Sequence, residues 1–199
     1  MLSRVLATLV LSSWSAGLLA GPTLCATADQ AAKVREAYAT PPAAPTFMAA
    51  SKLALPEAVV LSALAGQGAT GTTGAGFEKV WASLQGWDDA TVVLLKGANV
   101  VEVRGRIPSG APSTKSQFFN LKQDGAGLGG HFRPDLMGAI YAVELAGAQG
   151  PLRGVTFVDL AGESLFGVYL PEGAGEKPGL AAAFGRTREL IAGLAKVCP

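Results

Sequence analysis

The chain has 199 residues, with 16 basic and 15 acidic side chains and a formal net charge of +1. A balance this even argues against nucleic acid or an anionic membrane surface as a main partner, because those ligands attract basic clusters. Beyond the first 28 residues the chain has one histidine and one cysteine, too few for a zinc site with three or four nitrogen or sulfur ligands. The length predicts one ordinary domain that can bury most of its apolar surface.

The first 28 residues, MLSRVLATLVLSSWSAGLLAGPTLCATA, have the pattern of a secretory signal peptide. Arg4 precedes an apolar run over residues 5–20, and the small residues Ala26 and Ala28 occupy the two positions that signal peptidase recognises. We therefore predict a signal peptide over residues 1–28, cleavage after Ala28, and a periplasmic or secreted protein without a membrane span. A transmembrane anchor is the competing interpretation, but serines and a glycine interrupt a run that would need roughly 20 apolar residues.

Cleavage after Ala28 would also remove Cys25, one of the two cysteines. Cys198 would then be alone in the mature chain, which predicts no intramolecular disulfide even in an oxidising compartment. A thiol exposed there would more readily join two chains.

Residues 29–52 are predicted to be an N-terminal helical arm or linker, loosely attached to a domain over residues 53–199. In the arm, DQAAKVREAYA (29–39) is a predicted helix, which the prolines that follow it end. LALPEAVVLSALAG (53–66) predicts a compact helix with Pro56 in its first turn. The glycine-rich GQGATGTTGAG (66–76) predicts a linker or flexible loop, because it lacks the preceding strand and the Gly-Lys-Ser/Thr ending of a phosphate-binding loop.

A predicted helix with one apolar face follows, and after it a series of short predicted strands. Phe77, Val80, Trp81 and Leu84 have the spacing of one apolar helix face. Short β-branched and aromatic runs between turns then predict strands over residues 91–96, 100–107, 116–122, 128–133, 139–145, 154–160 and 164–170. Hairpin connections are predicted at residues 96–99 and 159–163, and a last helix over 180–197 is predicted to cover the sheet. The pattern predicts an α+β fold with an antiparallel sheet between flanking helices.

The single histidine limits the chemistry that the chain can perform. His131 is the only candidate base for a catalytic triad, and no serine lies in a G-x-S-x-G turn, so covalent hydrolysis has little support. A pair of glycosidase carboxylates stays open, because acidic residues such as Asp124, Asp135, Glu144 and Asp159 have no assigned place, although nothing in their spacing favours such a site. Haem, in contrast, needs only one protein nitrogen, because the porphyrin supplies four ligands to the iron.

In GLGGHFR (127–133), a strand would place His131 and Arg133 on one face. This arrangement suits an axial ligand beside a cation for a haem propionate. From spacing alone, however, a hydrogen-bonded strand histidine and a solvated arginine are the more economical interpretation. A second iron ligand could come from Met137, Tyr141 or Tyr169, or be water, although Met137 is equally natural as a core residue.

Several motifs together resemble the ChuX/HutX family of haem-utilisation proteins. These are FFNLKQDGAGLGGHFRPDLMGAIYAVEL (118–145), GVTFVDLAGESLFGVYL (154–170) and the final helix. The resemblance implies a HemS/ChuX-like fold with a split antiparallel β-sheet, flanking helices and a C-terminal helix, often as a homodimer. It also implies that haem is bound without further chemistry, with His131 as axial metal ligand and Arg133 and Phe119 in the cofactor site. Three departures stand out: phenylalanine replaces a tyrosine or histidine before FNL, Lys96 stands where other members have a histidine, and the chain carries an export signal.

These observations give a leading hypothesis and two alternatives. The leading one is a non-catalytic haem carrier or reservoir in haem or iron acquisition, working with a haem-transport partner protein. The first alternative is an exported structural or protein-interaction domain that kept the fold and lost the haem. The second alternative is a haem-degrading enzyme, and it ranks last because the sequence shows no motif for binding a reductant.

Overall fold

The computed structural model describes residues 24–97, 99–122, 125, 127–171 and 178–198. Most of the predicted signal peptide, up to residue 23, therefore lies outside the described residues. The strands are β1 (Ala69–Thr73), β2 (Ala90–Lys96), β3 (Asn99–Gly105), β4 (Gly110–Pro112), β5 (Phe119–Leu121), β6 (His131–Phe132), β7 (Met137–Gly147), β8 (Gly150–Asp159) and β9 (Ser164–Tyr169). The α-helices are α1 (Ala28–Ala37), α2 (Thr46–Leu53), α3 (Glu57–Ala63), α4 (Phe77–Leu84) and α5 (Pro178–Ala192).

The strands form two antiparallel sheets. The large sheet has six strands in the order β1–β7–β8–β9–β2–β3, and the small sheet has three in the order β4–β5–β6. Both predicted hairpins are present, as the β2–β3 and β8–β9 connections. The predicted α+β fold with a split antiparallel sheet, flanking helices and a C-terminal helix is confirmed.

Apolar residues cover both faces of the large sheet, so successive residues of its central strands enter two different cores. Ile140 and Phe157 face an aromatic core that α4, α5 and the small sheet complete. Tyr141 and Val158 face a second core, which α1, α2 and α3 cover. The four residues of the predicted α4 stripe are all buried in the aromatic core, which confirms the helical spacing.

The glycine-rich segment is not a flexible linker, because it contains the edge strand β1. This strand pairs with β7 from Ala69 opposite Val143 to Thr73 opposite Ala139. Gly71 is required by a close approach, since a Cβ placed there would lie 2.3 Å from Cε1 of Tyr141. The small residues that suggested flexibility instead leave room for an aromatic ring.

The N-terminal arm is not loosely attached, which corrects the expectation for residues 29–52. Val34 of α1 is fully buried in the second core, against α3. A capping box starts α1: the Thr27 hydroxyl accepts from the Gln30 N–H at 3.3 Å, and the Gln30 side chain accepts from the Thr27 N–H at 2.9 Å. Such a cap satisfies N–H groups that have no partner within the helix.

Two helices meet where the sequence predicted one over residues 53–66. Helix α2 ends at Leu53, Ala54 adopts a positive φ of 52°, and α3 begins at Glu57. Pro56 explains the break, because proline lacks an N–H and disfavours a helical conformation in the residue before it. The predicted last helix also ends early, at Ala192, although its Phe184 and Ile191 are buried as expected.

A disulfide joins Cys25 to Cys198, across a sequence separation of 173 residues. The expectation that Cys198 stands alone, and that no intramolecular disulfide forms, is therefore wrong for a chain that contains Cys25. The bond was not expected from the sequence, because the predicted cleavage after Ala28 would remove Cys25 from the mature chain.

Among the described residues, no helix is by itself long and apolar enough to cross a membrane. Only α2 and α3 taken together meet the length and composition limits, and they are bent by 110° relative to each other.

A buried carboxyl group connects α2 and α3. Glu57 is 2% exposed, and its Oε1 accepts a hydrogen bond from the Thr46 hydroxyl at 2.5 Å. Burial disfavours the charged form and raises the pKa of Glu57, while the bond from Thr46 acts in the opposite direction. The folded protein therefore holds the Glu57 proton more tightly than the unfolded chain does.

Glu57→Gln should change how stability depends on pH. Because the pKa is higher in the folded state, wild-type stability is fully present below the unfolded value of about 4.3 and declines as pH rises through the folded value. Glutamine keeps an acceptor for Thr46 and does not titrate, so the variant should gain stability relative to wild type from acidic to neutral pH. Urea unfolding across this range measures the trend. Glu36→Gln, at an exposed position on α1, is the matched control, and a constant difference for Glu57→Gln would contradict the prediction.

Gly71→Ala should destabilise the protein by about 1–3 kcal/mol, because the added methyl group would overlap the ring of Tyr141. Gly185→Ala in α5 is the control: a Cβ there meets nothing within 4 Å, and alanine should stabilise that helix by about 0.5–1 kcal/mol. Chemical denaturation of both variants gives the two free energies of unfolding. Equal stability of Gly71→Ala and wild type would show that the ring can move aside.

Candidate functional site

The small sheet presents one face to the core and the other to solvent. Phe119 and Phe132 pair across β5 and β6, and their side chains face the aromatic core. Asn120 and His131 are the neighbouring pair, and alternation places their side chains on the outer face. Because Phe132 is anchored inside, His131 is directed outward and is exposed.

The only histidine has a defined hydrogen bond. Its Nδ1 lies 2.7 Å from Oδ1 of Asn120. An amide oxygen can only accept a hydrogen bond, so Nδ1 of His131 must carry the proton and donate it. In the neutral ring Nε2 then has a lone pair available for a metal, because the hydrogen bond of one ring nitrogen determines the role of the other.

Phe118 brings His131 and Arg133 together. Its ring lies 6.0 Å from the ring of His131 in an edge-to-face arrangement. The Arg133 guanidinium carbon lies 5.6 Å from the centre of the same ring. The predicted placement of His131 and Arg133 on one face is thus confirmed, and an exposed aromatic residue lies between them.

Arg133 is also held by an acidic neighbour. Its Nε and Nη2 donate to Asp135 at 2.8 and 2.6 Å, and Nη2 also donates to Oε1 of Gln117 at 2.6 Å. The hydrogen bond to Asp135 raises the pKa of the arginine and lowers that of the carboxyl group. The N–H groups on Nη1 take no part in these three bonds, so they can donate to a further acceptor.

The structure does not bring Phe119 to this surface. Phe119 is 4% exposed and packs edge-to-face on Phe77 in the aromatic core, with ring centres 5.1 Å apart. Phe118 occupies the outer position instead. The motif contains both phenylalanines, and the pairing of β5 with β6 decides which one lies beside His131.

The candidate second iron ligands lie away from the outer face. Met137 is buried in the aromatic core, as the core interpretation predicted. Tyr141 is buried in the second core, and the Tyr169 hydroxyl lies 3.0 Å from the Thr156 hydroxyl. Burial raises the pKa of both tyrosines, which favours the protonated phenol over the phenolate that would bind iron.

Of the carboxylates considered for a glycosidase site, Asp124 lies outside the described residues, and the other three have structural partners. Glu144 accepts from Arg153 at 2.6 Å and from Arg188 at 2.7 Å. Asp159 accepts two backbone N–H groups in the β8–β9 turn, and Asp135 binds Arg133. Their geometry therefore gives no support to a pair of catalytic carboxylates. Within the described part of the chain, no group of three or more histidine, cysteine, aspartate or glutamate residues could hold a metal ion.

The outer surface is open. A cavity of about 210 Å³ borders it, with Gln117, Phe118 and Asp135 in its wall. Pockets that enclose a small ligand usually measure about 300–1,000 Å³. A flat ligand on His131 would therefore lie against the outer face, with one side uncovered in a single chain.

Comparison with protein families gives a match to the haem-utilisation ChuX/HutX family over residues 70–186, which is more than half of the chain. The chain belongs to the ChuX/HutX family. The matched region runs from β1 into α5 and includes every residue of the outer face. The resemblance to this family is thereby confirmed.

Solved structures agree with this assignment. A protein from Erwinia carotovora is 25% identical with a TM-score of 0.69, and the match covers 81% of this chain and 98% of that protein. ChuX is 19% identical with a TM-score of 0.67, covering 79% of this chain and 97% of ChuX, and a second ChuX structure is described as a haem-binding protein. No curated protein sequence is similar enough to count as a match.

The longer relatives contain about twice the matched length. PhuS from Pseudomonas aeruginosa, described as haem-binding, is 16% identical with a TM-score of 0.61, and the match covers 83% of this chain and 46% of PhuS. ChuS, described as an Escherichia coli haem oxygenase, is matched over 49% of its length, with 13% identity and a TM-score of 0.59. Membership of a haem-utilisation family, in which a ChuX structure is described as haem-binding, is in line with the expected non-catalytic haem-binding protein.

Asn120 and Phe118 were not singled out as site residues from the sequence. Asn120 belongs to the FNL motif, but its role depends on pairing with His131 across two strands that are ten residues apart in sequence. Alternation of side chains along β5 could have placed Phe118 and Asn120 on the face opposite to Phe119. Alternation does not, however, tell which strand pairs with β5.

The tautomer of His131 can be tested directly. We expect the neutral ring to be protonated at Nδ1, and Asn120→Ala should shift the population towards protonation at Nε2, because the acceptor is lost. Long-range ¹H–¹⁵N NMR correlations at alkaline pH report the tautomer, and a single histidine needs no assignment. Asn99→Ala, in the β2–β3 hairpin, is the control. The same tautomer ratio in wild type and Asn120→Ala would contradict the assignment.

Proposed function

We propose that this protein is an exported haem carrier or reservoir that binds haem on the outer face of the small sheet, with Nε2 of His131 as axial ligand to the iron. The observation that carries the proposal is the 2.7 Å contact between Nδ1 of His131 and Asn120, which orients an exposed ring and leaves Nε2 for a metal. Membership of a haem-utilisation family supports haem as the ligand. Haem is the cargo here, and the protein adds no reaction of its own.

Phe118 and Arg133 would complete the contact. The Phe118 ring provides an exposed apolar surface beside His131, which suits a flat, largely apolar macrocycle. Arg133 keeps N–H donors on Nη1 that suit a propionate carboxylate. Asp135 would compete for the same guanidinium, so the arginine would be shared between the two carboxylates.

A second copy of the chain would cover the exposed side of the haem. This part of the proposal rests on the open outer face and on the longer relatives, of which the chain matches about half. Two copies of this chain would together have about the length of one longer relative. A carrier also needs a donor or recipient, and an open site suits transfer to a haem-transport partner.

A periplasmic or secreted location is proposed from the leader pattern in the first 28 residues. The disulfide is consistent with it, because such bonds persist in oxidising compartments and are rare in the cytosol. An exported member would therefore hold haem before its uptake into the cytoplasm.

Haemin titration tests the site. The wild type should bind haemin saturably with a shifted Soret band, and His131→Ala should raise the Kd by at least about tenfold. Imidazole added to His131→Ala should restore the wild-type spectrum by replacing the missing ring. Asn120→Leu should weaken binding less than His131→Ala, because it misorients the ligand without removing it. Lys52→Ala, exposed on α2, is the control.

Two outcomes would count against the proposal in different ways. Saturable binding that is unchanged in His131→Ala would remove His131 from the site. Failure of the wild type to bind haemin would favour the alternative of an exported structural or protein-interaction domain. Sedimentation with and without haemin decides whether a second copy takes part, since a haem-bound monomer would exclude the shared site.

A further inference from the structure

We propose that the mature exported protein retains residues 24–28, with Cys25 bonded to Cys198, so that any removal of the leader takes place before Leu24 and not after Ala28. The Ala26-Thr27-Ala28 sequence fits signal peptidase, but the same residues form the start of the folded domain. This inference does not depend on haem binding.

Residues 24–27 make specific contacts with the domain. The Ala26 N–H donates to the Ser62 hydroxyl at 2.8 Å, which joins the segment to α3. The side chain of Leu24 packs against the second core. Thr27 caps α1 with both hydrogen bonds of a capping box. A disposable leader has no reason to make contacts of this kind.

The disulfide joins this segment to the other end of the chain. Cys198 follows α5, and the same C-terminal stretch is held on the edge strand β1: the Thr72 hydroxyl and the Thr73 N–H both donate to the Ala195 carbonyl, at 2.8 and 3.1 Å. The two ends of the domain therefore lie side by side, and the disulfide links them covalently.

Cleavage after Ala28 would remove all of these interactions at once. It would take away the cap of α1, the bond to Ser62 and the partner of Cys198. Signal peptidase acts during export, before folding, so the burial of this segment does not itself prevent cleavage. The interactions instead show which product can form the whole domain, and that product contains Cys25.

Formation of the bond follows ordinary thiol chemistry. The Cys25 and Cys198 thiols lose two protons and two electrons as one sulfur–sulfur bond forms. The electrons pass to the disulfide of an extracytoplasmic thiol–disulfide oxidoreductase, which is reduced to two thiols.

The experiment is to export the full-length chain, purify it from the extracytoplasmic fraction, and determine its intact mass and a tryptic map without reduction. We expect a fragment that contains Cys25 and ends at Lys33, linked to residues 197–199, and both parts should separate on reduction. A mature chain that begins at Asp29, or a free thiol at Cys25, would overturn the proposal.

Ala28→Leu separates the two cleavage positions. A large residue directly before the cut blocks signal peptidase there, and Ala28 is exposed in the first turn of α1, where leucine fits. The exported product should keep its wild-type N-terminus. Accumulation of uncleaved precursor in this variant alone would show that the enzyme cuts after Ala28.

Cys25→Ser and Cys198→Ser test the bond by stability. Each single variant and the double variant should lower the Tm by roughly 5–15 °C, because the bond closes a very long loop. Similar losses in all three are expected if the cysteines act as one unit. A wild-type Tm in Cys25→Ser would contradict the proposal.

Discussion

Three stacked phenylalanine rings hold the small sheet on the large one, and the outward direction of His131 depends on them. Phe132 of β6 stacks on Phe166 of β9 with ring centres 4.7 Å apart, and Phe166 stacks on Phe157 of β8 at 4.4 Å. Strand β6 has only two residues, so anchoring Phe132 in the core determines where its neighbour points. The aromatic core therefore determines the direction in which His131 points.

The large sheet separates two cores with different tasks. The aromatic core fixes the small sheet and hence His131, Asn120 and Phe118. The second core joins α1, α2 and α3 to the back of the sheet and brings the ends of the chain together. Both faces of the central strands are buried, and the ring of Tyr141 packs directly over Gly71 on the side of the second core. The binding surface and the closure of the termini are thus supported by the same strands.

The outer face carries the groups that the proposed haem contact requires, and it is not a closed pocket. An oriented imidazole, an exposed aromatic ring and a partly shared guanidinium lie together, and the adjoining cavity is small. A site of this form suits a protein that receives and releases its cargo, because an enclosed pocket would have to open at each transfer.

The sequence by itself determined the local elements: the α4 stripe, the hairpins at residues 96–99 and 159–163, and a strand within GLGGHFR, although that strand is shortened to His131 and Phe132. These follow from periodicity and turn chemistry within a few residues. The tertiary structure decided that a glycine-rich segment is a strand and that Phe118, not Phe119, lies beside His131. It also brought Asn120 to Nδ1 of His131 and Cys25 to Cys198. Each of these depends on partners far apart in the chain, and only packing brings such partners together.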